Sequence, residues 1–276
     1  MTNRPRRPAR RSVVRFALPL IAAAVLPLVI TATAAAVEAQ TLVSFDRAAG
    51  QTPESVAVVS DGTAYVSLSF ASEIYRITPA GQQSTLDIPT AGGITVGLAI
   101  DSRDTNFLYV AVRSADPAAA GVWRIPRDRF DDPARVVPLP TDSFPNGMTF
   151  DERSNLYIAD SDLGRIWRVA PGAAQATVWA AGPLLAPTGE SFQGFVLPGA
   201  NGVKVRGRTL YVSNTAGRTI ITTLANSSDG LDNPSDVAFD PRPDRRHELL
   251  ITNSAYFGTR PSLAEIRTLG VGQQRR

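Results

Sequence analysis

Four short segments of the chain carry an oxygen-bearing side chain at the same position of one repeated pattern. They are Glu54-Ser-Val-Ala-Val58, Asn146-Gly-Met-Thr-Phe150, Asn201-Gly-Val-Lys-Val205 and Ser235-Asp-Val-Ala-Phe239. A carboxylate combined with amide carbonyls is a hard-oxygen ligand set, which suits Ca²⁺ or another hard divalent cation better than zinc or copper. The pattern predicts such a cation, bound weakly because Glu54 is the one carboxylate at this position.

A plainer interpretation of the same residues stays open. Asn-Gly is a common turn dipeptide, so Asn146 and Asn201 are also typical of turns. Glu54 on a solvated rim would need no cation, whereas a buried Glu54 needs a cation or an arginine partner. The shared register of the three residues favours the metal site.

The elements that must position these residues are short strands. A second apolar run follows each segment after a turn, as in Leu156–Ala159, and a third such as Arg165–Val169 comes next. Runs of four to six residues rich in Val, Ile, Tyr and Trp, bounded by turn residues, predict strands. Repetition of such units predicts an all-β fold, a β-propeller with about five recognisable blades.

The two ends of the predicted propeller are expected to pair with each other. Thr41–Phe45 reads as an added strand, and Ala264–Leu269 reads as its partner in the last blade. Pairing them would protect sheet edges that otherwise invite aggregation.

One repeat is shorter than the others. After Asn214, only the apolar run Thr219–Leu224 precedes the next turn, where two strands would be expected. The sequence leaves open a closed ring of five blades, an incomplete ring of six, and a dimer that fills the gap.

Residues 1–39 have the features of a secretory signal peptide, and residues 40–276 form the predicted propeller domain. Six arginines precede an apolar stretch that starts at Phe16, and Val37-Glu-Ala39 resembles a cleavage site. Arg10-Arg11 leaves the twin-arginine route open beside the general one. An uncleaved anchor is the alternative, although the stretch contains Pro19 and Pro27 and is short for a span. We therefore expect export to the periplasm or the extracellular space.

The net charge argues against a nucleic-acid partner. The whole chain has 28 basic and 25 acidic residues, but the first 39 residues contain six of the arginines and one glutamate. The remainder is nearly balanced and has no basic stripe, so we expect a small-molecule partner and no stable membrane insertion. The chain has no cysteine, which excludes thiol nucleophiles and thiolate metal sites.

Three polar residues end the second strands of their repeats and are predicted to face the same opening as the metal site. An inner strand that starts at the metal end runs away from it, so the next strand returns and finishes there. Asp160, Asn214 and Asn253 occupy these strand ends and could line a substrate pocket, with capping of the strand ends as the alternative. The long apolar loop from Gly182 to Gly199 falls on the same side, and we expect it to act as a lid or pocket wall.

Several segments together resemble one enzyme family. Glu54 before Ser-Val-Ala-Val, Phe144-Pro-Asn-Gly-Met-Thr-Phe-Asp151 and Gly199-Ala-Asn-Gly-Val-Lys-Val205 are similar in order and register to motifs of the senescence-marker-protein, gluconolactonase and luciferin-regenerating-enzyme family. The resemblance covers about residues 41–270. It implies a six-bladed propeller that holds a divalent cation, usually calcium, through Glu, two Asn and Asp. It also implies hydrolysis of a lactone or related ester, with Glu54, Asn146 and Asn201 as three of the ligands.

The fourth ligand departs from the family pattern. The register places Ser235 where the family has Asp, and Asp236 lies one position further along. A shift of one residue on a strand turns a side chain to the other face. Asp236 is nevertheless predicted as the fourth metal ligand and as the catalytic residue, with Ser235 as the alternative ligand.

Two functions from different classes remain open. In one, a cation polarises the carbonyl of a lactone or ester. In the other, the chain is a secreted binding propeller without catalytic activity. A triad of Ser, His and Asp is disfavoured because the chain's single histidine, His247, lies beside a charged run in a predicted turn.

Overall fold

The computed structural model describes residues 40–192, 194–206, 209–216, 234–239, 248–253 and 261–267. Within them the chain is all β. The first blade consists of β2 (Pro53–Val58), β3 (Ala64–Leu68), β4 (Glu73–Ile77) and β5 (Gln83–Asp87). The second consists of β6 (Ile94–Asp101), β7 (Asp104–Arg113), β8 (Gly121–Pro126) and β9 (Ala134–Pro138). The third consists of β10 (Pro145–Phe150), β11 (Leu156–Asp160), β12 (Arg165–Val169) and β13 (Thr177–Ala181).

The remaining described strands form two small sheets and one closing blade. Strands β14 (Ser191–Phe192) and β15 (Phe195–Val196) form a hairpin, and β16 (Ala200–Arg206) pairs with β17 (Thr209–Asn214). The closing blade has the strand order β1-β20-β19-β18. Its strands are β1 (Gln40–Ser44), β18 (Pro234–Phe239), β19 (Glu248–Asn253) and β20 (Ser262–Arg267).

The predicted pairing of the two ends of the propeller is confirmed. Strand β1 pairs antiparallel with β20, with Gln40 opposite Glu265 and Ser44 opposite Ser262. The N-terminal strand therefore becomes the outer strand of a blade whose other three strands come from the end of the chain. This arrangement covers the edge of β20.

Five inner strands lie side by side and correspond to the five predicted repeats. Strand β18 packs against β2, β2 against β6, β6 against β10, and β10 against β16. An ion pair between Lys204 on β16 and Asp236 on β18, with 3.9 Å between Nζ and Oδ1, joins the first and last of these strands. The predicted strand Thr219–Leu224, the signal peptide at residues 1–39 and His247 lie outside the described residues.

The hydrophobic core lies between the blades. Each blade presents one face to the blade before it and the other to the blade after it, so strands with apolar residues on both faces are favoured. The interface between the first and second blades is typical, with Ala57, Ile74, Leu98, Val110 and Ile125 all buried. Similar clusters join the second blade to the third, the third to β16 and β17, and the closing blade to the first.

Every inner strand contains a bulge at the position of the repeated motif. The register with the second strand shifts between Pro53 and Val56, and the other inner strands shift at the equivalent place. A bulge re-aims side chains that regular alternation would send to opposite faces. The candidate ligand residues therefore lie in bulged strands, and the turn interpretation of the two Asn-Gly pairs is wrong.

Glycine in the second and third blades allows the inner strands to approach closely. A Cβ atom added to Gly97 would lie 1.9 Å from the carbonyl oxygen of Asn146, and one added to Gly147 would lie 2.6 Å from that of Asn201. Backbone atoms in a strand cannot move aside to relieve such a contact, whereas the end of a flexible side chain can. These two glycines are therefore required by the spacing of the inner strands.

We predict that Gly97→Ala lowers the free energy of unfolding by about 2–4 kcal/mol, because the methyl group forces β6 and β10 apart. Gly202→Ala at the equivalent position of β16 is the matched control, since among the described residues its methyl group would meet the Ser213 hydroxyl alone, at 3.0 Å. We expect the control to lose about 1 kcal/mol in urea denaturation. Equal losses in the two variants would contradict the close-approach explanation.

Candidate functional site

The three predicted ligand residues occupy equivalent positions on three inner strands. Glu54 lies in β2 and is 7% exposed, Asn146 lies in β10 and is 6% exposed, and Asn201 lies in β16 and is half-buried. The solvated-rim interpretation of Glu54 is therefore wrong. Val96 holds the same position in β6, between Glu54 and Asn146 in the order of strands, and supplies no side-chain ligand.

The two asparagines differ in their contacts. Asn201 donates through Nδ2 to the Thr215 hydroxyl at 2.9 Å, which leaves its Oδ1 as the group able to face a cation. No hydrogen bond joins the Asn146 side chain to another described residue. The residue is 6% exposed, but its amide atoms are not among the buried polar atoms that lack a partner, so the amide faces the opening and is available to a ligand.

Hydroxyl groups from the second strands hold the bulges in place. Ser67 accepts a hydrogen bond from Ser55 N at 3.0 Å and donates to Val96 O on the next blade at 2.5 Å. Thr252 repeats the arrangement, accepting from Asp236 N at 3.0 Å and donating to Glu54 O at 3.1 Å. The backbone at Glu54 is thus fixed from the closing blade, a bridge that the sequence motifs alone did not reveal.

The Asp236 side chain points toward the neighbouring blade. Its Oδ2 accepts hydrogen bonds from the Ser55 hydroxyl at 2.6 Å and from Val56 N at 3.3 Å, and its Oδ1 lies 3.9 Å from Lys204 Nζ. Ser55 itself accepts from Leu98 N at 3.0 Å on the second blade. These contacts use the Asp236 carboxylate to join blades, and the assignment of Asp236 as metal ligand and catalytic residue stays a prediction.

The other candidate at this register, Ser235, lies in β18 beside Asp236. The bulge in β18 falls between Pro234 and Asp236. Ser235 therefore holds the backbone position of the fourth ligand with a hydroxyl in place of a carboxylate. In the described part of the chain, no three His, Cys, Asp or Glu side chains form a group that could hold a metal ion.

The three predicted pocket residues end the second strands of their blades. Because the strands are antiparallel, each lies opposite the first residue of the neighbouring inner strand. Asp160 is opposite Pro145, Asn214 is opposite Ala200, and Asn253 is opposite Pro234. The backbone pairing thus brings the three strand ends to the same end of the blades as the candidate ligands.

The Asp160 carboxylate is fully buried and accepts four hydrogen bonds. The donors are the Ser143 hydroxyl at 2.6 Å, Trp167 Nε1 at 2.8 Å, Phe144 N at 3.0 Å and Leu163 N at 3.1 Å. All four lie in the third blade or in the segment that leads into it. These contacts match the capping alternative and leave no surface of Asp160 for a substrate.

Asn214 anchors the long loop that was predicted as a lid. Its Nδ2 donates to Leu184 O at 2.9 Å and Ala186 O at 3.1 Å. The Leu184 side chain is nevertheless 88% exposed, and Phe195 and Val196 in β15 are also exposed. The role of Asn214 is to position this loop, and the lid itself stays a prediction.

A surface ion pair lies beside Asp160 at the same end of the blades. Arg113 Nη2 is 2.9 Å from Asp162 Oδ2. Burial raises the pKa of the Asp162 carboxyl, Arg113 opposes this shift, and the negative charge of Asp160 adds to it. The opening therefore has a charged rim, on which Arg113 partly neutralises the negative charge of Asp162.

Comparison with known proteins supports the fold more strongly than any activity. No protein-family model matches this chain. A stretch of 47 residues, 17% of this chain and 17% of the relative, is 47% identical to virginiamycin B lyase of Nocardia farcinica. The chain thus matches less than a fifth of that enzyme.

Solved structures share the fold over most of the chain. The match to the allergen Mala s 1 of Malassezia sympodialis covers 87% of this chain and 98% of the allergen chain, with 12% identity and a TM-score of 0.55. The match to the PQQ-bound aldose sugar dehydrogenase of Streptomyces coelicolor covers 84% of this chain and 98% of the dehydrogenase chain, with 14% identity and a TM-score of 0.50. A structure named as a gluconolactonase matches 85% and 93%, with 14% identity and a TM-score of 0.50.

The chain is a β-propeller. At these identities the likeness shows the fold alone, and propellers carry many different functions. In the part of the chain that the structure describes, no helix has the length and apolarity needed to cross a membrane.

We predict that Asp160→Asn destabilises the propeller by about 3 kcal/mol, because an amide cannot accept all four hydrogen bonds and one donor would face another donor. Asp162→Asn is the neighbouring control, and loss of its exposed ion pair should cost about 1 kcal/mol or less. Urea denaturation of both variants checks the difference. A loss for Asp160→Asn no larger than that of the control would contradict the capping role.

Proposed function

We propose that the propeller binds Ca²⁺ through Glu54, Asn146 and Asn201 and hydrolyses a lactone or a related small ester outside the cytoplasm. The observation that carries this proposal is the placement of three oxygen-bearing side chains at one register of the bulged inner strands. Among them Glu54 and Asn146 are buried residues.

The donor set fits a hard divalent cation. Glu54 supplies the charge, while Asn146 and Asn201 supply neutral amide oxygens of the kind that calcium accepts. When bound, the cation would supply Lewis-acid polarisation of a substrate carbonyl. With a single carboxylate in the set, we expect a dissociation constant of about 10⁻⁴ to 10⁻³ M, a range in which sites fill in extracellular fluids.

This chain's own residues would position the substrate rather than exchange protons with it. The apolar loop anchored by Asn214 provides a wall for an uncharged ring or acyl chain, through Leu184 and Phe195. Asp160 and Asp236 are both engaged in holding the blades, which leaves Glu54 as the carboxylate at the register of the described inner strands. A small-molecule substrate of low charge fits this end of the blades better than a nucleic acid.

The contacts of Asp236 favour a second candidate function. Because its carboxylate joins the closing blade to the first blade, Glu54 is the one acidic group at this register in the inner strands that the structure describes. The alternative is therefore a secreted propeller that binds calcium and a small ligand without hydrolysis.

We predict that calorimetric titration of metal-stripped protein with CaCl₂ shows one saturable site. The double variant Asn146→Ala, Asn201→Ala should weaken binding at least tenfold through the loss of two oxygen ligands. Asn106→Ala, which removes an exposed asparagine bonded to Asp104, is the matched control and should bind normally. If the folded wild-type protein binds no Ca²⁺ at millimolar concentrations, the proposed metal site is wrong.

A substrate screen then separates the two functions. We expect calcium-dependent turnover of lactones or short esters that is lost in Glu54→Gln. Calcium binding without turnover of any compound would favour the binding propeller.

A further inference from the structure

A crevice between the second and third blades encloses a cavity of about 420 Å³ at the end of β6 away from the candidate ligand register. Val137, Phe150, Leu156 and Val169 contribute to an apolar wall. Its polar lining residues are Asp101, Asp104, Tyr109, Ser154 and Arg124. The cavity is independent of the proposed calcium site, because Asp101 ends the inner strand whose other end carries Val96.

An equivalent but smaller crevice, of about 270 Å³, lies between the first and second blades. The repeat makes Tyr65 equivalent to Tyr109 and Arg76 equivalent to Arg124. Each of these strand arginines is held against an aromatic ring, Arg76 over Phe130 at 4.5 Å and Arg124 over Phe107 at 4.3 Å. The two crevices are thus built from the same parts.

The side chain of Arg127 occupies the smaller crevice. It is 14% exposed and lies 3.6 Å from the carboxylate of Asp61. Its Nε donates to the Tyr65 hydroxyl at 3.2 Å, Nη1 donates to Thr105 O, and the guanidinium lies over the Tyr65 ring at 5.6 Å. The chain itself therefore shows that this kind of crevice accommodates a guanidinium group.

In the larger crevice no arginine stands at the position equivalent to Arg127, although Arg124 is one of the lining residues. Counting along the third strands from Arg124 and Arg168, the position of Arg127 is taken by Pro171. The turn that follows is Gly-Ala-Ala, residues 172–174, whose side chains are too small to reach across. The loss of the arginine accounts for the greater volume.

The groups that would receive a guanidinium are nevertheless present in the larger crevice. Asp101 is 5% exposed, and its Oδ1 accepts one hydrogen bond, from Arg103 N at 3.0 Å. Asp101 is paired with Asp104 across the β6–β7 turn, and both line the crevice together with Tyr109. Burial raises the pKa of the Tyr109 hydroxyl, Arg124 opposes the shift, and Asp104 and Asp101 raise it further. Arg127 lies beside one carboxylate, Asp61, and over the Tyr65 ring, and the larger crevice offers the same kinds of group in Asp101, Asp104 and Tyr109.

We propose that this crevice is a binding site for a small alkylguanidinium compound, whose guanidinium lies between Asp101, Asp104 and the Tyr109 ring. Ion pairing to carboxylates and stacking on an aromatic ring are the interactions that guanidinium groups make best. The apolar wall receives the alkyl chain. Arg124 also lines this crevice and lies over the Phe107 ring at 4.3 Å, and its equivalent Arg76 lines the smaller crevice together with Arg127.

Calorimetric titration of the purified full chain with N-propylguanidinium chloride tests the site. This probe reproduces the Arg127 side chain in about seven non-hydrogen atoms, for which millimolar affinity is expected. N-propylurea is the control ligand because it has the same shape and no charge. We expect the urea to bind at least tenfold more weakly, and equal binding of the two would overturn the proposal.

Two variants locate the binding. Pro171→Arg restores the missing arginine and should abolish binding of N-propylguanidinium while raising the unfolding temperature. Asp101→Asn keeps the volume, removes the charge and should weaken binding at least tenfold, which preserves the test if the first variant does not fold. Unchanged binding in both folded variants, or the absence of saturable binding to the wild type, would refute the site.

The smaller crevice supplies an internal positive control. Arg127→Ala empties it, so this variant should gain a second site for N-propylguanidinium and recover thermal stability when the compound is added. A variant that gains no site would show that these crevices do not accept free guanidinium groups and would count against the proposal.

Discussion

The close approach of the inner strands is the constraint on which the rest of the structure depends. Gly97 and Gly147 let neighbouring backbones meet where a methyl group would collide with the carbonyl oxygens of Asn146 and Asn201. In the first blade and in the closing blade, the hydroxyls of Ser67 and Thr252 donate hydrogen bonds to the inner strand of the next blade. Two devices, a missing side chain and a bridging hydroxyl, therefore produce the same spacing in different blades.

The bulge in each inner strand links this packing to function. It places one residue, such as Glu54 or Asn146, at the common register and the next residue toward the neighbouring blade. Ser55 and Asp236 occupy the second position and accept backbone N–H groups of Leu98 and Val56. A carboxylate at this second position is used for assembly, even though its residue type suggests chemistry.

The repeats also explain how one fold contains two kinds of candidate site. The register at the start of the inner strands gathers oxygen-bearing residues from different blades, which suits a cation. The crevices at the far end of these strands lie between pairs of blades. Whether a side chain fills a crevice depends on the residue that follows the third strand of the blade. Arg127 fills one crevice, and Pro171 leaves the next one open. Divergence among repeats can thus create a site without any change in the fold.

The sequence by itself determined the strands, their repeat and the pairing of the two ends of the chain, because apolar runs bounded by turn residues are local signals. It also determined the shared register of Glu54, Asn146 and Asn201. Only the tertiary structure decided the direction of Asp236, the saturation of Asp160 by four donors and the place of Arg127. These depend on bulges and on contacts between blades, which join residues as distant in sequence as Ser55 and Asp236, and no local pattern encodes them.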